Sequence, residues 1–196
     1  GGYSVNIGYV WNNKTVWADN SAKLIMNNGS VFNVTQGTLC FGRAKEHEKK
    51  VNLKVDVAVT NSSIVVSKGQ IILSNNDNAW ITDNAKSYVK VVFGPDSHIT
   101  TGQIYADGIY PTPSVIFDGA TIHWTDNNSS FIGHRNTAGD IYTIDSHGLT
   151  VDIPNGKSLT CDSNASSLKG EGGITKIGGG SITWNKVSSK GSQGMT

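Results

Sequence analysis

The residues best suited to acid–base chemistry are concentrated between His123 and His147. This stretch of 25 residues holds three of the five histidines, an arginine and several carboxylates. Imidazole and carboxyl groups are the usual proton donors and acceptors in enzymes. The chemistry that suits them is polysaccharide cleavage by a lyase or glycosidase, since glycoside hydrolysis commonly uses two carboxyl groups about 5–10 Å apart. If the chain is an enzyme, its catalytic residues are expected at Asp126, His134, Arg135 and Asp140.

The same stretch is the candidate binding site, since binding requires no proton transfer. Its hydrogen-bonding groups and one aromatic ring are His123, Trp124, Asp126, His134, Arg135 and Asp140. Trp124 is one of five tryptophans, which either pack in the core or offer a platform for a sugar ring. The alternative interpretation is that these polar residues only occupy outward strand positions and turns.

Sequence patterns for other chemistries are absent. There is no Gly-x-Ser-x-Gly nucleophile elbow and no Cys-x-x-Cys metal spacing. The glycine-rich segment 170–173 lacks the following helix that phosphate binding requires. We therefore expect no enzymatic activity, no metal site and no cofactor.

Composition predicts a folded chain with few charges. Of the 196 residues, 16% are charged, and 16 basic residues nearly cancel 15 acidic ones. Without a basic stripe, binding to nucleic acid is not expected. No apolar run is long enough to cross a bilayer, so we expect no membrane insertion by this segment. The mixed-charge cluster at 44–50 predicts a solvated face or a short helical excursion.

The two cysteines, Cys40 and Cys161, lie far apart in the sequence. Single cysteines on apolar strands usually act as small buried hydrophobic residues, which is our expectation for both. A disulfide requires Cα atoms within about 7 Å of each other, and the sequence leaves that open.

The surrounding apolar residues come in short β-branched and aromatic runs that end at Gly, Asn or Asp. Clear examples are Val51–Val59, Ser63–Val66, Tyr88–Phe93 and Ala120–Trp124. Period-two alternation in such runs predicts strands, so the chain is expected to be all-β.

Glycine-containing turns recur between these runs at nearly constant intervals. Gly37 and Gly69 are 32 residues apart, Gly69 and Gly102 are 33 apart, and Gly148 and Gly180 are 32 apart. Such intervals are typical of repeat architectures. The turns themselves fit either hairpins or the corners of a solenoid.

The segment 174–184, Ile-Thr-Lys-Ile-Gly-Gly-Gly-Ser-Ile-Thr-Trp, resembles the autotransporter-associated β-strand repeat, Leu-Thr-Lys-x-Gly-x-Gly-x-Leu-x-Leu. The segment 192–196 lies where that family has a stretch resembling Tyr-x-Gly-Gly-Thr, while 186–192 lack the usual aromatic residue. The resemblance implies a right-handed parallel β-helix passenger on a bacterial surface. It also implies that 1–196 is a single β-helical domain, cut within a repeat at its C-terminus.

Together these observations predict a non-enzymatic adhesin or structural stalk, secreted or associated with the bacterial outer membrane, and shaped as an elongated rod. Its expected partner is a host-surface glycan or protein, bound along an extended polar face. Two alternatives remain: a carbohydrate-active β-helix enzyme, and a lectin-type carbohydrate-binding module built as an antiparallel β-sandwich. The oligomeric state stays open.

Overall fold

The computed structural model describes residues 4–12, 18–46, 51–77, 87–107, 112–126, 132–134, 141–161 and 168–184. Within these residues the chain forms strands and turns only. The predicted all-β class is therefore confirmed. Runs that the sequence marked as strands, such as Val51–Val59 and Ala120–Trp124, have the same bounds in the structure.

Three parallel sheets contain most of these strands. The first sheet holds β1 (Ser4–Asn12), β4 (Thr38–Glu46), β7 (Ile71–Asp77), β10 (Ile104–Ala106) and β13 (Ile132–His134). The second holds β2 (Ala18–Met26), β5 (Val51–Val59), β8 (Tyr88–Phe93), β11 (Thr112–Phe117), β14 (Tyr142–Ile144) and β17 (Lys169–Gly170). The third holds β3 (Val31–Val34), β6 (Ser63–Val66), β9 (His98–Thr101), β12 (Ala120–Trp124), β15 (Leu149–Asp152) and β18 (Ile174–Ile177). The remaining strands, β16 (Ser158–Cys161) and β19 (Ser181–Trp184), pair with each other.

In every sheet, a strand pairs in parallel with the strand three positions later in the sequence. The chain thus visits the first, second and third sheets in turn and then begins the next coil beside the previous one. This order is compatible with a parallel β-helix solenoid. The antiparallel β-sandwich alternative is wrong, because the strand ladders of the described residues are parallel.

The period-two pattern of the strands separates the core from the outer faces. In β5, Leu53, Val55 and Val57 are buried, whereas Lys54, between the first two, is exposed. Register aligns the buried residues of successive coils, as where Val57 pairs with Val91. Each apolar row therefore continues along the coil axis, and one hydrophobic cluster extends from Met26 to Leu159.

An aromatic column strengthens the middle of this core. The ring centroids of Phe93 and Phe117 are 5.7 Å apart, and those of Phe117 and Tyr142 are 6.5 Å apart. The Tyr142 hydroxyl donates a hydrogen bond of 2.9 Å to the carbonyl of Gly133. Burial raises the pKa of Tyr142 far above its usual value, so this phenol remains a donor at any ordinary pH.

Within the described residues, two kinds of corner connect the sheets. Between the second and third sheets, the left-handed backbone conformation recurs at Asn28, Asn61, Asp96 and Gly119, residue types that tolerate it. Between the third and first sheets lie Gly37, Gly69 and Gly102. Gly119 therefore belongs to a different corner from Gly102.

Six third-sheet strands stack at about 4.8 Å each, so the coils rise only about 25–30 Å. A nine-residue strand such as β5 is itself about 30 Å long. The described coils therefore rise by about the length of one such strand, and the elongated rod stays a prediction.

Two local expectations are resolved by the strand assignments. Residues 44–46 continue strand β4, so the helical alternative for the charged cluster is wrong there, and 47–50 lie outside the described residues. Cys40 is 1% exposed, which confirms its buried role. Its strand β4 and the strand β16 of Cys161 belong to coils four steps, or about 19 Å, apart, which excludes a disulfide between them.

Candidate functional site

The structure divides the predicted binding cluster among three environments. His123 lies on the outer face of the third sheet, Trp124 lies in the core, and Asp126 lies at the following corner. Arg135, Asp140 and the side chain of His134 fall outside the described residues. The expected single site at 123–140 therefore stays a prediction, since half of its side chains lie outside the described residues.

Trp124 is not available to a sugar ring. Its side chain is 1% exposed and belongs to the hydrophobic cluster. Because strand residues alternate between faces, an outward His123 requires an inward Trp124. Its proposed binding role is therefore wrong, and the core interpretation holds. The side chains of Trp11, Trp17, Trp80 and Trp184 lie outside the described residues.

The backbone of His134 ends strand β13, where it pairs with Ala106. Ala106 in turn pairs with Leu73, and Leu73 with Phe41. All three of these partners are completely buried. His134 therefore occupies a register row whose other members belong to the core.

Asp126 contributes instead to a polar groove at the corners between the third and first sheets. This corner groove has a volume of about 480 Å³, within the range of small-ligand sites. Its floor includes Gly37, Gly69 and Gly102. Its hydrogen-bonding residues are Thr38, Ser67, Lys68, Gln70, Gln103, Thr125 and Asp126.

Close backbone stacking forms the floor of the groove. The Gly102 amide donates a 3.1 Å hydrogen bond to the Gly69 carbonyl. A Cβ atom added to Gly69 would overlap the carbonyl oxygen of Gly37. The backbone φ of Gly69 is not in the left-handed region. Glycine is therefore required there because a side chain would not fit, and not because of backbone conformation.

The residue after each floor glycine supplies a polar side chain at the start of the next strand. These residues are Thr38, Gln70 and Gln103. Successive backbone hydrogen bonds, Leu39 N to Gln70 O at 3.1 Å and Ile71 N to Gln103 O at 2.8 Å, align them along the axis. Side-chain amides both donate and accept hydrogen bonds, so the groove can match sugar hydroxyls.

The groove also carries charge of both signs, because Lys68 and Asp126 are exposed at its rim. Our sequence reasoning selected Asp126 but missed Lys68, Gln70 and Gln103. The sequence did contain a signal for Gln70 and Gln103. The floor glycines are 32 and 33 residues apart, so the residues that directly follow them recur at the same interval.

Two further polar pairs lie on other surfaces. The His147 Nδ1 and Asp118 Oδ1 atoms are 2.6 Å apart, and this hydrogen bond lowers the pKa of Asp118. On the second sheet, the Tyr88 hydroxyl donates to Asp56 Oδ2 at 2.9 Å, and the same bond raises the pKa of Tyr88. Both pairs are exposed at the surface.

Within the described ranges, no three His, Cys, Asp or Glu side chains converge on a point that could hold a metal ion. No helix in that part of the chain combines the length and apolar character needed to cross a membrane.

No protein-family model matches the chain, and no curated protein or solved structure is significantly similar to it. The strand order defines the class: an all-β chain of stacked parallel sheets. The autotransporter identity receives no support from relatives.

Proposed function

We propose that this chain is a non-enzymatic segment of a secreted or surface-displayed β-helical passenger, and that the corner groove binds a glycan. The handedness proposed for the coils is right-handed, as parallel crossover connections nearly always are. The proposed partner is a host-surface glycan. The proposed location of the chain is secreted or associated with the bacterial outer membrane.

The groove itself is the observation that carries this proposal. A row of amide and hydroxyl side chains repeats from coil to coil, with Thr38, Gln70 and Gln103 in successive coils. Sugar chains present hydroxyl groups at regular intervals, so a repeated row of hydrogen-bonding groups offers repeated contacts. Lys68 favours glycans that carry carboxylate or sulfate groups.

The composition of the groove favours binding over hydrolysis. Hydrolysis of glycosidic bonds commonly needs two carboxyl groups about 5–10 Å apart. Within the described lining, Asp126 is the one carboxylate. A carbohydrate-active enzyme remains the alternative that the test below separates from a binding protein.

The test is a glycan-array screen followed by calorimetric titration of the strongest acidic glycan. We expect Lys68→Ala to weaken binding about 10–100-fold and Gln70→Ala about 3–10-fold, as charged and neutral hydrogen bonds are lost. Lys90→Ala, which removes an exposed lysine from the second sheet, is the matched control and should bind like the wild type.

Absence of any glycan binding, or equal binding by the Lys68 and control variants, would contradict the proposal. Release of shortened sugar chains from the array ligand would favour the enzyme instead.

A further inference from the structure

Three titratable side chains form a line across adjacent strands on the outer face of the third sheet. His98 Nδ1 lies 3.1 Å from His123 Nε2, and His123 Nδ1 lies 3.0 Å from Asp152 Oδ2. His123 and Asp152 are register partners in β12 and β15. His98 in β9 pairs with Thr121, so the line runs diagonally over the sheet.

The two imidazoles meet edge to edge. Their planes differ by 18° and their centroids are 5.4 Å apart. This separation is close to the 3.1 Å between the nitrogens plus the two ring radii, which would not hold for rings packed face to face. Two ring nitrogens therefore point toward each other.

Asp152 determines which nitrogen of His123 is available. An ionised carboxylate only accepts hydrogen bonds, so His123 carries its proton on Nδ1 and leaves a lone pair on Nε2. Histidines that bind metals usually have this arrangement, with the second ring nitrogen donating to a carboxylate. The His123 side chain is 37% exposed and His98 beside it is exposed, so the pair of rings faces solvent.

The geometry points to a binding site for a divalent transition-metal ion, with His98 Nδ1 and His123 Nε2 as ligands and Asp152 orienting His123. Two nitrogens about 2.0–2.1 Å from one ion are about 3 Å apart when they occupy neighbouring coordination positions. Binding therefore preserves the observed separation of the nitrogens, but each ring must turn so that its lone pair is directed at the ion and not at the other nitrogen. Imidazole ligands suit Cu²⁺, Ni²⁺ and Zn²⁺, and water fills the remaining positions of this exposed site. Binding requires His98 to carry its proton on Nε2, a tautomer change that releases no proton.

The residues that pair in register with His123 and Asp152 on their other sides carry no positive charge that would repel a metal ion. Thr100 pairs with His123 on one side, and Ile177 pairs with Asp152 on the other. The corner groove is not involved, so this inference is independent of glycan binding.

The experiment titrates the purified chain with Cu²⁺ at pH 7.5 and records electron paramagnetic resonance spectra. We expect one ion bound with hyperfine structure from two imidazole nitrogens. His98→Ala and His123→Ala should each weaken Cu²⁺ binding at least tenfold. In either variant, at most one imidazole nitrogen of this pair should contribute to the hyperfine structure. Asp152→Asn should weaken binding about 10–100-fold, as loss of an outer-shell partner does.

The matched control is His147→Ala, because His147 also pairs with an aspartate but has no second imidazole beside it. A variant with His47, His134 and His147 replaced by Gln should retain the two-nitrogen spectrum. Undiminished Cu²⁺ binding by the His98 and His123 variants, or a one-nitrogen spectrum in the wild type, would overturn the inference.

Discussion

At the scale of single residues, crowding distinguishes two glycines that share the left-handed backbone conformation. Gly42 lies inside strand β4 with φ of 77°, and an added Cβ would overlap Val89. Gly29 has φ of 78° at a corner, with no heavy atom within 4 Å of an added Cβ. The two positions therefore share backbone strain but differ in crowding.

We expect Gly42→Ala to lower the free energy of unfolding by about 2–4 kcal/mol, from strain and overpacking together. Gly29→Ala should cost only the strain, about 1–2 kcal/mol. Urea unfolding monitored by circular dichroism measures both. Equal losses in the two variants would show that Val89 does not crowd Gly42.

The pair of Asp118 and His147 makes stability depend on pH. Because its hydrogen bond lowers the pKa of Asp118 below 3.8 in the folded state, the carboxylate stabilises the fold above pH 3.8. That contribution disappears as the pH falls through the lower folded pKa. Asp118→Asn should therefore cost up to about 1 kcal/mol at pH 6–7 and less at pH 2.

Urea unfolding of the wild type and Asp118→Asn at pH 7 and pH 2 checks this prediction. A constant difference between the two proteins at both pH values would mean that the ionised carboxylate is not responsible.

At the scale of elements, the two faces of a strand should differ sharply in their contribution to stability. Phe117 is completely buried between Phe93 and Tyr142, whereas its neighbour Ile116 lies on the outer face. Phe117→Ala should lower the free energy of unfolding by about 3–5 kcal/mol. Ile116→Ala is the matched control on the same strand, and a comparable loss there would contradict the assigned faces.

The element scale also shows what the sequence could reveal. Long alternating runs predicted strands such as β5 and β8 with the observed bounds, because alternation extends over the whole strand. Three-residue strands such as β10 and β13 were missed, since such short segments carry too little pattern. Their pairing with neighbouring coils, a long-range property, is what defines them as strands.

The candidate site was only partly predictable for a related reason. Asp126 was selected from its local neighbours, but Gln70 and Gln103 join it only because successive coils stack. Likewise, His98 and His123 are 25 residues apart in sequence and meet only through the pairing of β9 with β12. Local chemistry identified residue types, while register decided which residues meet.

At the scale of the whole molecule, each coil contacts mainly its neighbours along the axis, as in other repeat proteins. The corner groove draws residues from successive coils, and the metal-binding pair draws them from two. Both therefore depend on strands three positions apart in sequence lying side by side in the observed register.

The most direct test of that register uses two cysteine pairs on one outer row of the third sheet. Thr121 pairs with Thr150, and Thr150 pairs with Thr175. The double variant Thr121→Cys with Thr150→Cys places thiols on adjacent strands, about 4.8 Å apart, whereas Thr121→Cys with Thr175→Cys places them about 9.6 Å apart. A short bifunctional thiol reagent, with products assigned by peptide mass, should cross-link the first pair efficiently and the second poorly. Cross-linking of the second pair in preference to the first would contradict the stacked-coil account and both sites built on it.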